Sequence, residues 1–295
     1  MDVATEGRVF ELDASSFADA FGKRPFGVGH NLVGHPLLTL DAIADMADAF
    51  PGRIERHQGD LPSVAPGGAP ELEGPPSETV RGIEDNGCWM VFWYIDQAPE
   101  YGALLDRCLD EAESYLPPEV GKTEQREEFL FLSAPNAVTP VHFDPEHNFL
   151  LQIKGIKEMN VCPFPSRERE LEELDRYFDG GDRNLEAMPS DGETFRLEPG
   201  KGVYVPSLMP HWVRNGPEAS VSLSITFRTQ ASRRAERVHR INSRLRQLGL
   251  SPRPPGGSAI RDRTKESAWV AVTGTRRRIS PLKRALGRAS YDRSS

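Results

Sequence analysis

The segment Thr139-Pro140-Val141-His142-Phe143-Asp144 contains residue types that bind metal ions. Side chains alternate between the two faces of a β-strand, so a strand here would place His142 and Asp144 on the same face. A third ligand is available from His211, at the start of a later predicted strand. Two imidazoles and one carboxylate hold non-haem Fe(II) and leave coordination positions open. The tripeptide His-x-Asp is common by chance, so this prediction depends on the two histidines lying on neighbouring strands.

Lys157 lies on the strand after a predicted turn at Lys154-Gly155. In a barrel this strand would neighbour the one that carries the candidate ligands. A lysine that points into a protein interior is costly unless an anion pairs with it. Beside a metal with open positions, such a lysine would suit a dicarboxylate co-substrate. One carboxylate would chelate the metal, and Lys157 and the Thr139 hydroxyl would hold the other. The alternative is that Lys157 is an exposed residue of an ordinary strand.

The elements that must position these residues are short strands. From Glu128 onward the apolar residues recur with period two, and Pro or Gly separates the segments. Many short strands with few helices among them predict a mainly β fold with flanking helices and a double-stranded β-helix (jelly-roll) core. The predicted strands are 129–132, 138–143, 148–153, 158–162, 194–197, 202–205, 211–214 and 220–228.

Flanking segments show helical spacing. Helices are predicted at 39–50, 101–116, 166–178 and 231–248, with a further helix start at 77, a strand at 88–95 and a loop at 62–76. Because 251–295 contains Pro and Gly and little periodicity, it is expected to be extended or partly ordered. These patterns divide the chain into an N-terminal flanking region (1–127), a jelly-roll core with the metal site (128–230), and a basic C-terminal helical segment and tail (231–295).

Composition limits the class of protein. The chain has 295 residues, 38% of them hydrophobic, and its apolar runs are far shorter than a membrane span needs. Its first residues are acidic, whereas a signal peptide begins with basic residues. Three widely spaced cysteines form neither a disulfide framework nor a zinc site. We therefore expect a cytoplasmic protein with no membrane partner.

The net charge of −8 is unevenly distributed. Segment 231–295 contains 17 basic and 4 acidic residues, whereas the remainder has a net charge of −21. The basic residues alternate with apolar ones, which weighs against a nucleic-acid-binding tail and favours packing on an acidic surface of this chain or of a partner subunit. The acidic body is expected to attract a cationic small molecule or a basic peptide.

Two segments carry a family resemblance. Residues 136–157 closely resemble the core of JmjC and cupin-like 2-oxoglutarate oxygenases, and residues 198–211 resemble the second motif of that family. The similarity is greatest to the branch that contains the asparaginyl hydroxylase acting on hypoxia-inducible factor. The chain also resembles bacterial cupin-like proteins of about this length.

The resemblance implies a role for each matching position. His142, Asp144 and His211 would bind Fe(II), and Lys157 with Thr139 would bind 2-oxoglutarate. Three further residues are implied near the co-substrate: Asn148, Thr226, which stands where the hydroxylase branch has Asn, and Tyr94, whose flanking sequence aligns poorly. His147 is expected to face away from the site, at the surface or behind the ligands.

The implied activity is hydroxylation of a C–H bond in a peptide, a protein side chain or a small molecule, with 2-oxoglutarate and O2 as co-substrates. The implied assembly is a homodimer that forms through 231–250, and the alternative is that the apolar stripe of this segment packs on the barrel of its own chain. Two alternatives stay open, namely a non-catalytic metal-binding cupin that acts as a sensor or regulator, and a cupin enzyme that does not use 2-oxoglutarate. Lys157 and Thr139 argue against the second alternative, because a site that only binds a metal requires neither residue.

Overall fold

The computed structural model describes residues 7–58, 74–118, 120–186 and 191–284, with only the backbone described at 57–58 and 272–284. Most of the predicted loop at 62–76 lies outside these ranges. The strands are β1 (Phe10–Glu11), β2 (Phe26–His30), β3 (Ile54–Gln58), β4 (Cys88–Phe92), β5 (Thr123–Ser133), β6 (Val138–His142), β7 (His147–Lys154), β8 (Lys157–Val161), β9 (Glu193–Leu197), β10 (Lys201–Val205), β11 (His211–Asn215) and β12 (Ser220–Thr229). The helices are α1 (Ala14–Ala20), α2 (Leu40–Ala49), α3 (Pro76–Arg81), α4 (Pro99–Glu113), α5 (Arg167–Phe178), α6 (Gln230–Gln247) and α7 (Ala259–Arg284).

Two antiparallel sheets form the framework. The larger has the strand order β1-β2-β10-β7-β12-β5-β4-β3, and the smaller has the order β6-β11-β8-β9. Apolar residues from both sheets pack together in one cluster, which we call the intersheet interior. Its buried members are Leu150, Met159, Val161, Leu197, Val203, Val205 and Val213. The predicted mainly β, jelly-roll fold class with flanking helices is confirmed.

A second core lies on the other face of the larger sheet. It includes alternate residues of β7 and β12, such as Phe149 and Phe227, together with the apolar faces of α2 and α4. Helix α2 agrees with its predicted range, because the Thr39 side chain accepts a hydrogen bond from Ala42 N at its start and Pro51 follows its end. The larger sheet is therefore covered on both faces.

Two local predictions are wrong. Strand β4 ends at Phe92 rather than at residue 95, because Tyr94 has φ 56° and begins a 3-10 turn. Helix α7 occupies most of the segment 251–295, which was expected to be extended or partly ordered. The cluster of Pro and Gly residues ends at Gly257, and 259–284 contains six arginines, a residue type that favours helix.

The chain divides into two compact units. The first comprises Met1–Glu173 and Asp182–Gln230, and the second comprises Leu174–Gly181 and Ala231–Ser295. Within the second unit, Glu266 accepts hydrogen bonds from two arginines of α6 at 2.9 and 2.5 Å. No helix in the described ranges has an apolar stretch long enough to cross a bilayer.

Candidate metal centre and the intersheet interior

Strands β6 and β11 bring the three predicted metal ligands together. His142 ends β6 and is the direct register partner of His211, which begins β11. Asp144 lies two residues beyond the end of β6, and its Oδ2 is 3.9 Å from His142 Nε2 and 3.5 Å from His211 Nε2. One ligand atom from each residue lies within 4.8 Å of the other two. Asp144 thus reaches the site from a turn rather than from the predicted strand.

Backbone carbonyls orient both imidazoles. The Nδ1 atom of His142 is 2.8 Å from Pro140 O, and that of His211 is 2.9 Å from Met209 O. A carbonyl oxygen can accept a hydrogen bond but cannot donate one. Each Nδ1 therefore carries the proton, and each Nε2 presents a lone pair toward Asp144. Burial and the neighbouring imidazole lower the pKa of His142 to about 4, which keeps this ring neutral at physiological pH. Both rings therefore have the tautomer that a metal ligand requires.

Arg183 is a neighbour of the centre that the sequence did not indicate. Its guanidinium forms an ion pair with Asp144 Oδ1. Burial raises the pKa of Asp144, but Arg183 and the two imidazoles outweigh burial and hold that pKa well below its usual value. Arg183 precedes a one-residue bridge between Asn184 and His142 in an otherwise irregular segment. Neither periodicity nor a motif marks that segment, so only the folded structure reveals the contact.

Lys157 lies on the same face of the smaller sheet as the triad. The buried positions of β8 alternate along the strand from Lys157 through Met159 to Val161, and Val161 is the register partner of His211. Lys157 is only 3% exposed, and its ammonium forms no hydrogen bond or ion pair with any residue in the described ranges. Burial lowers the pKa of Lys157 to about 7. A buried amine without an anionic partner is unusual in a protein interior.

The turn before Lys157 is closely packed. Gly155 has φ 70°, and a Cβ at this position would collide with the Ala219 carbonyl oxygen. Gln152 Nε2 donates to Gly155 O at 3.1 Å and to Ser220 Oγ at 3.1 Å. These contacts fix the start of β8 and leave Lys157 little freedom to leave the interior.

Thr139 shares the interior face with Lys157. Thr139 is the register partner of Val213, and Lys157 is the register partner of Asn215 on the other side of β11. Residues that are directly paired across antiparallel strands point to the same face. The Thr139 hydroxyl and the Lys157 amine therefore lie on strands that flank β11, at adjacent inward positions.

Asn148 and Thr226 line the opposite wall. They are register partners on β7 and β12, and both are at least 94% buried. Asn148 pairs on its other side with Val205, a member of the intersheet interior. Its Oδ1 accepts a hydrogen bond from Ser224 Oγ at 2.9 Å. Both residues thus face the interior, at the end of the sheet nearest the triad.

His147 points to the other side of β7, as strand alternation predicts, but it is not at the surface. It is 4% exposed, and its Nδ1 accepts a hydrogen bond from the Tyr204 hydroxyl at 2.8 Å. Its ring packs against Phe21 and Phe227. The surface alternative is wrong because helix α1 and its following turn cover this face of the sheet.

Tyr94 lies at the end of the larger sheet that is nearest the His142, Asp144 and His211 triad, rather than beside Lys157. Its ring packs on Phe129 with centroids 5.3 Å apart, and its hydroxyl forms no hydrogen bond with any residue in the described part of the chain. Burial raises the pKa of Tyr94, and the charges of Glu127 and Glu146 add to this shift while Arg183 opposes it. The structure therefore places Tyr94 among the charged groups around the triad.

Comparisons with known proteins agree with this arrangement. Residues 122–235 match the family model of the JmjC domain. The Jumonji C domain-containing protein 5 of Drosophila melanogaster is 31% identical over 104 residues, which are 31% of this chain and 26% of that relative. The chain therefore spans about a quarter of that protein's length.

Solved structures show the same fold. A crystal structure of the Escherichia coli ribosomal oxygenase YcfD superposes with a TM-score of 0.52 at 18% identity, over 90% of this chain and 67% of that one. A second structure of YcfD, in complex with cobalt and succinic acid, gives a TM-score of 0.50 at 19% identity over the same shares. The family match covers β5 to β12, and thus every inward-facing residue described above except Tyr94.

Proposed function

Since residues 122–235 form a JmjC domain of the cupin-like 2-oxoglutarate oxygenase family, we propose that the protein is an Fe(II)- and 2-oxoglutarate-dependent oxygenase. It would use O2 and 2-oxoglutarate as co-substrates and hydroxylate a C–H bond of its substrate. His142, Asp144 and His211 would bind the iron.

One observation carries the proposal, namely that a metal-ligand triad and an unpaired buried amine face the same interior. The three ligand atoms lie within 4.8 Å of one another. Two imidazoles and a carboxylate fit Fe(II) and leave positions open for exogenous ligands. Lys157 begins β8, four residues before Val161, the register partner of His211. Four residues span about 13 Å at roughly 3.3 Å per residue. A lysine side chain and a five-carbon diacid together suit that separation.

Each residue of the interior has a task in this proposal. Lys157 and Thr139 would hold the far carboxylate of 2-oxoglutarate, because an ammonium–carboxylate hydrogen bond is among the strong ones in a dry site. Asn148 and Thr226 would form the polar part of the opposite wall. Bound iron would supply oxygen-activating chemistry, which no side chain provides. The protein would hold both partners in place and exclude bulk water.

The substrate class has indirect support. The name ribosomal oxygenase, carried by the Escherichia coli neighbour, supports a protein or peptide substrate over a metabolite.

The three cysteines are free thiols and are buried, which supports a cytoplasmic location.

The proposed activity predicts succinate formation from 2-oxoglutarate. Purified protein with Fe(II), ascorbate and O2 is expected to form succinate, and a panel of peptides and amino-acid derivatives is expected to contain members that raise the rate. Nuclear magnetic resonance would measure succinate, and mass spectrometry would measure a gain of one oxygen in the substrate. Omission of iron or O2 should abolish both signals. Succinate formation that is independent of iron would contradict the proposal.

We also propose a homodimer through 231–250. Within the second unit, Leu248 and Leu250 follow the end of α6 and are 76% and 55% exposed. Such exposure is unusual for leucines, whereas Val238 of the same helix is buried. Light scattering at micromolar concentration is expected to give twice the chain mass. Replacement of both leucines by glutamate should shift the mass toward the monomer, whereas Val270→Glu serves as a control outside 231–250. A monomeric wild-type protein would exclude this assembly.

A further inference from the structure

The two oxygens of the Asp144 carboxylate have different surroundings. Oδ2 lies 3.9 Å from His142 Nε2 and 3.5 Å from His211 Nε2, whereas Oδ1 accepts a hydrogen bond from Arg183 Nη1. Arginine keeps its charge throughout the physiological pH range. The carboxylate therefore has a permanent cation at Oδ1 and two imidazole lone pairs beside Oδ2, and Oδ2 is the oxygen that it offers to a metal ion.

Main-chain hydrogen bonds hold Arg183 in this position. Its carbonyl oxygen accepts a hydrogen bond from Phe143 N at 3.3 Å. Two residues further on, Leu185 N donates to Val141 O at 3.0 Å. These bonds attach the segment to β6, the edge strand of the smaller sheet that ends at His142. The position of the Arg183 guanidinium is therefore set by the same strand that supplies a metal ligand.

The backbone of Asp144 is fixed from the opposite side. Its carbonyl oxygen accepts a hydrogen bond from Leu208 N at 2.6 Å, and the next residue, Met209, orients the imidazole of His211. With the main chain held in this way, rotation of the side chain is the freedom that Asp144 retains. The hydrogen bond from Arg183 restricts that rotation, because turning the carboxylate would break it.

The orientation of this carboxylate decides how many coordination positions the protein fills. A carboxylate can bind a metal ion with one oxygen or with both. With one, the triad leaves about three positions of an octahedral ion open, and with both it leaves about two. The guanidinium beside Oδ1 repels a divalent cation that approaches this oxygen, because like charges repel strongly where water is scarce.

We propose that Arg183 is a positioning residue that keeps Asp144 a one-oxygen ligand and so reserves one coordination position of the metal for a co-substrate. This inference rests on the proposed function, in which 2-oxoglutarate and O2 share the open positions. Arg183 is 40% exposed, and it lies outside the named strands. Its replacement should therefore alter the carboxylate without leaving a cavity in the core.

The test counts the water molecules on bound Mn(II), which is used alone as the probe. Protein loaded with one equivalent of Mn(II) is measured by electron paramagnetic resonance in isotopically labelled water. Wild type is expected to retain about three bound waters, and Arg183→Met about two, because both Asp144 oxygens would then bind. The signal from bound water should thus fall by about a third. Saturating 2-oxoglutarate should leave about one water in wild type and none in the variant.

Three further variants separate the charge of Arg183 from its packing. Arg183→Gln keeps a polar side chain but removes the charge, so it should lose water as Arg183→Met does. Arg183→Lys keeps the charge and should retain the wild-type count. Arg196→Met is the matched control, because it removes an exposed arginine of β9 that pairs with Glu198 at 3.0 Å, and its count should equal that of wild type. Circular dichroism would verify that each variant is folded.

The inference is overturned by an unchanged water count in Arg183→Met and Arg183→Gln, or by a count in Arg183→Lys as low as in Arg183→Met. Loss of Mn(II) binding in folded Arg183→Met would also overturn it, because all three ligands should remain. A wild-type protein that binds no Mn(II) would contradict the metal centre itself, and with it the proposed function. Failure of the inference alone is thus recognised by a wild type that binds the metal.

Discussion

Replacement of Asp144 by alanine is expected to reduce succinate formation by more than about 100-fold. A residue that only hydrogen-bonds to a metal ligand costs up to about 100-fold when it is changed, and the loss of a ligand itself should cost more. The reason is geometric. Asp144 Oδ2 lies 3.5 and 3.9 Å from the two imidazole nitrogens, so it supplies the only carboxylate of the triad. Two histidines alone would bind Fe(II) weakly.

The fold should survive this change. Asp144 lies outside the regular strands, and its partner Arg183 is 40% exposed, so water can solvate the released guanidinium. Circular dichroism of the metal-free variant should therefore resemble that of wild type, with a lower midpoint of thermal unfolding because the paired carboxylate is lost. Asp19→Ala, at an exposed position of α1, is the control. An Asp144→Ala protein with full activity would show that the triad is not the catalytic metal site.

Lys157→Met is expected to make the metal-free protein more stable while abolishing its affinity for 2-oxoglutarate. Methionine has nearly the same length and can fill the interior without a charge. Burial lowers the pKa of Lys157 to about 7, whereas an unfolded lysine has a pKa near ~10.4. This difference means that, at pH 6, the free energy of unfolding of Lys157→Met should exceed that of wild type by an amount on the order of a few kcal/mol.

The sign of the pH dependence follows from the same pKa. Between about pH 7 and pH 10 the unfolded chain binds one more proton at Lys157 than the folded chain, so this residue makes wild type more stable as pH rises. Below pH 7 both states are protonated, and the cost of burying the ammonium is fully present. The stability difference between Lys157→Met and wild type should therefore shrink as pH rises from 7 to 10. Denaturant unfolding at several pH values would measure it. A constant difference would show that Lys157 is not a buried ammonium.

The positions of the candidate ligands His142 and His211 agree with strand alternation and the spacing of two motifs, whereas Asp144 lies beyond the end of β6. Alternation also placed Asn148 and His147 on opposite faces of β7. It did not reveal that His147 is buried, because alternation assigns a residue to a face but does not show what covers that face. Here the rings of Phe21 and Phe227 cover it.

The charged groups around the triad could not be predicted in the same way. Arg183 reaches Asp144 from an irregular segment, and the direction of Glu127 depends on the pairing of β5 with β12. Both contacts join residues that are distant in sequence, and no periodic pattern records them. Likewise, the sequence could place Lys157 on a strand, but only the packed structure shows that none of the described residues pairs with its ammonium.

The most direct measurement of the central claim is anaerobic titration of the Fe(II)-loaded protein with 2-oxoglutarate, followed by visible absorption. Chelation of the iron by the 2-oxo acid should produce a weak charge-transfer band that saturates with added 2-oxoglutarate. The band should be absent in Lys157→Ala at the same concentrations, and it should be unchanged in Lys201→Ala, which removes an exposed lysine of β10. No band in wild type, or an identical titration in Lys157→Ala, would contradict the assignment of the triad and Lys157 to one co-substrate site.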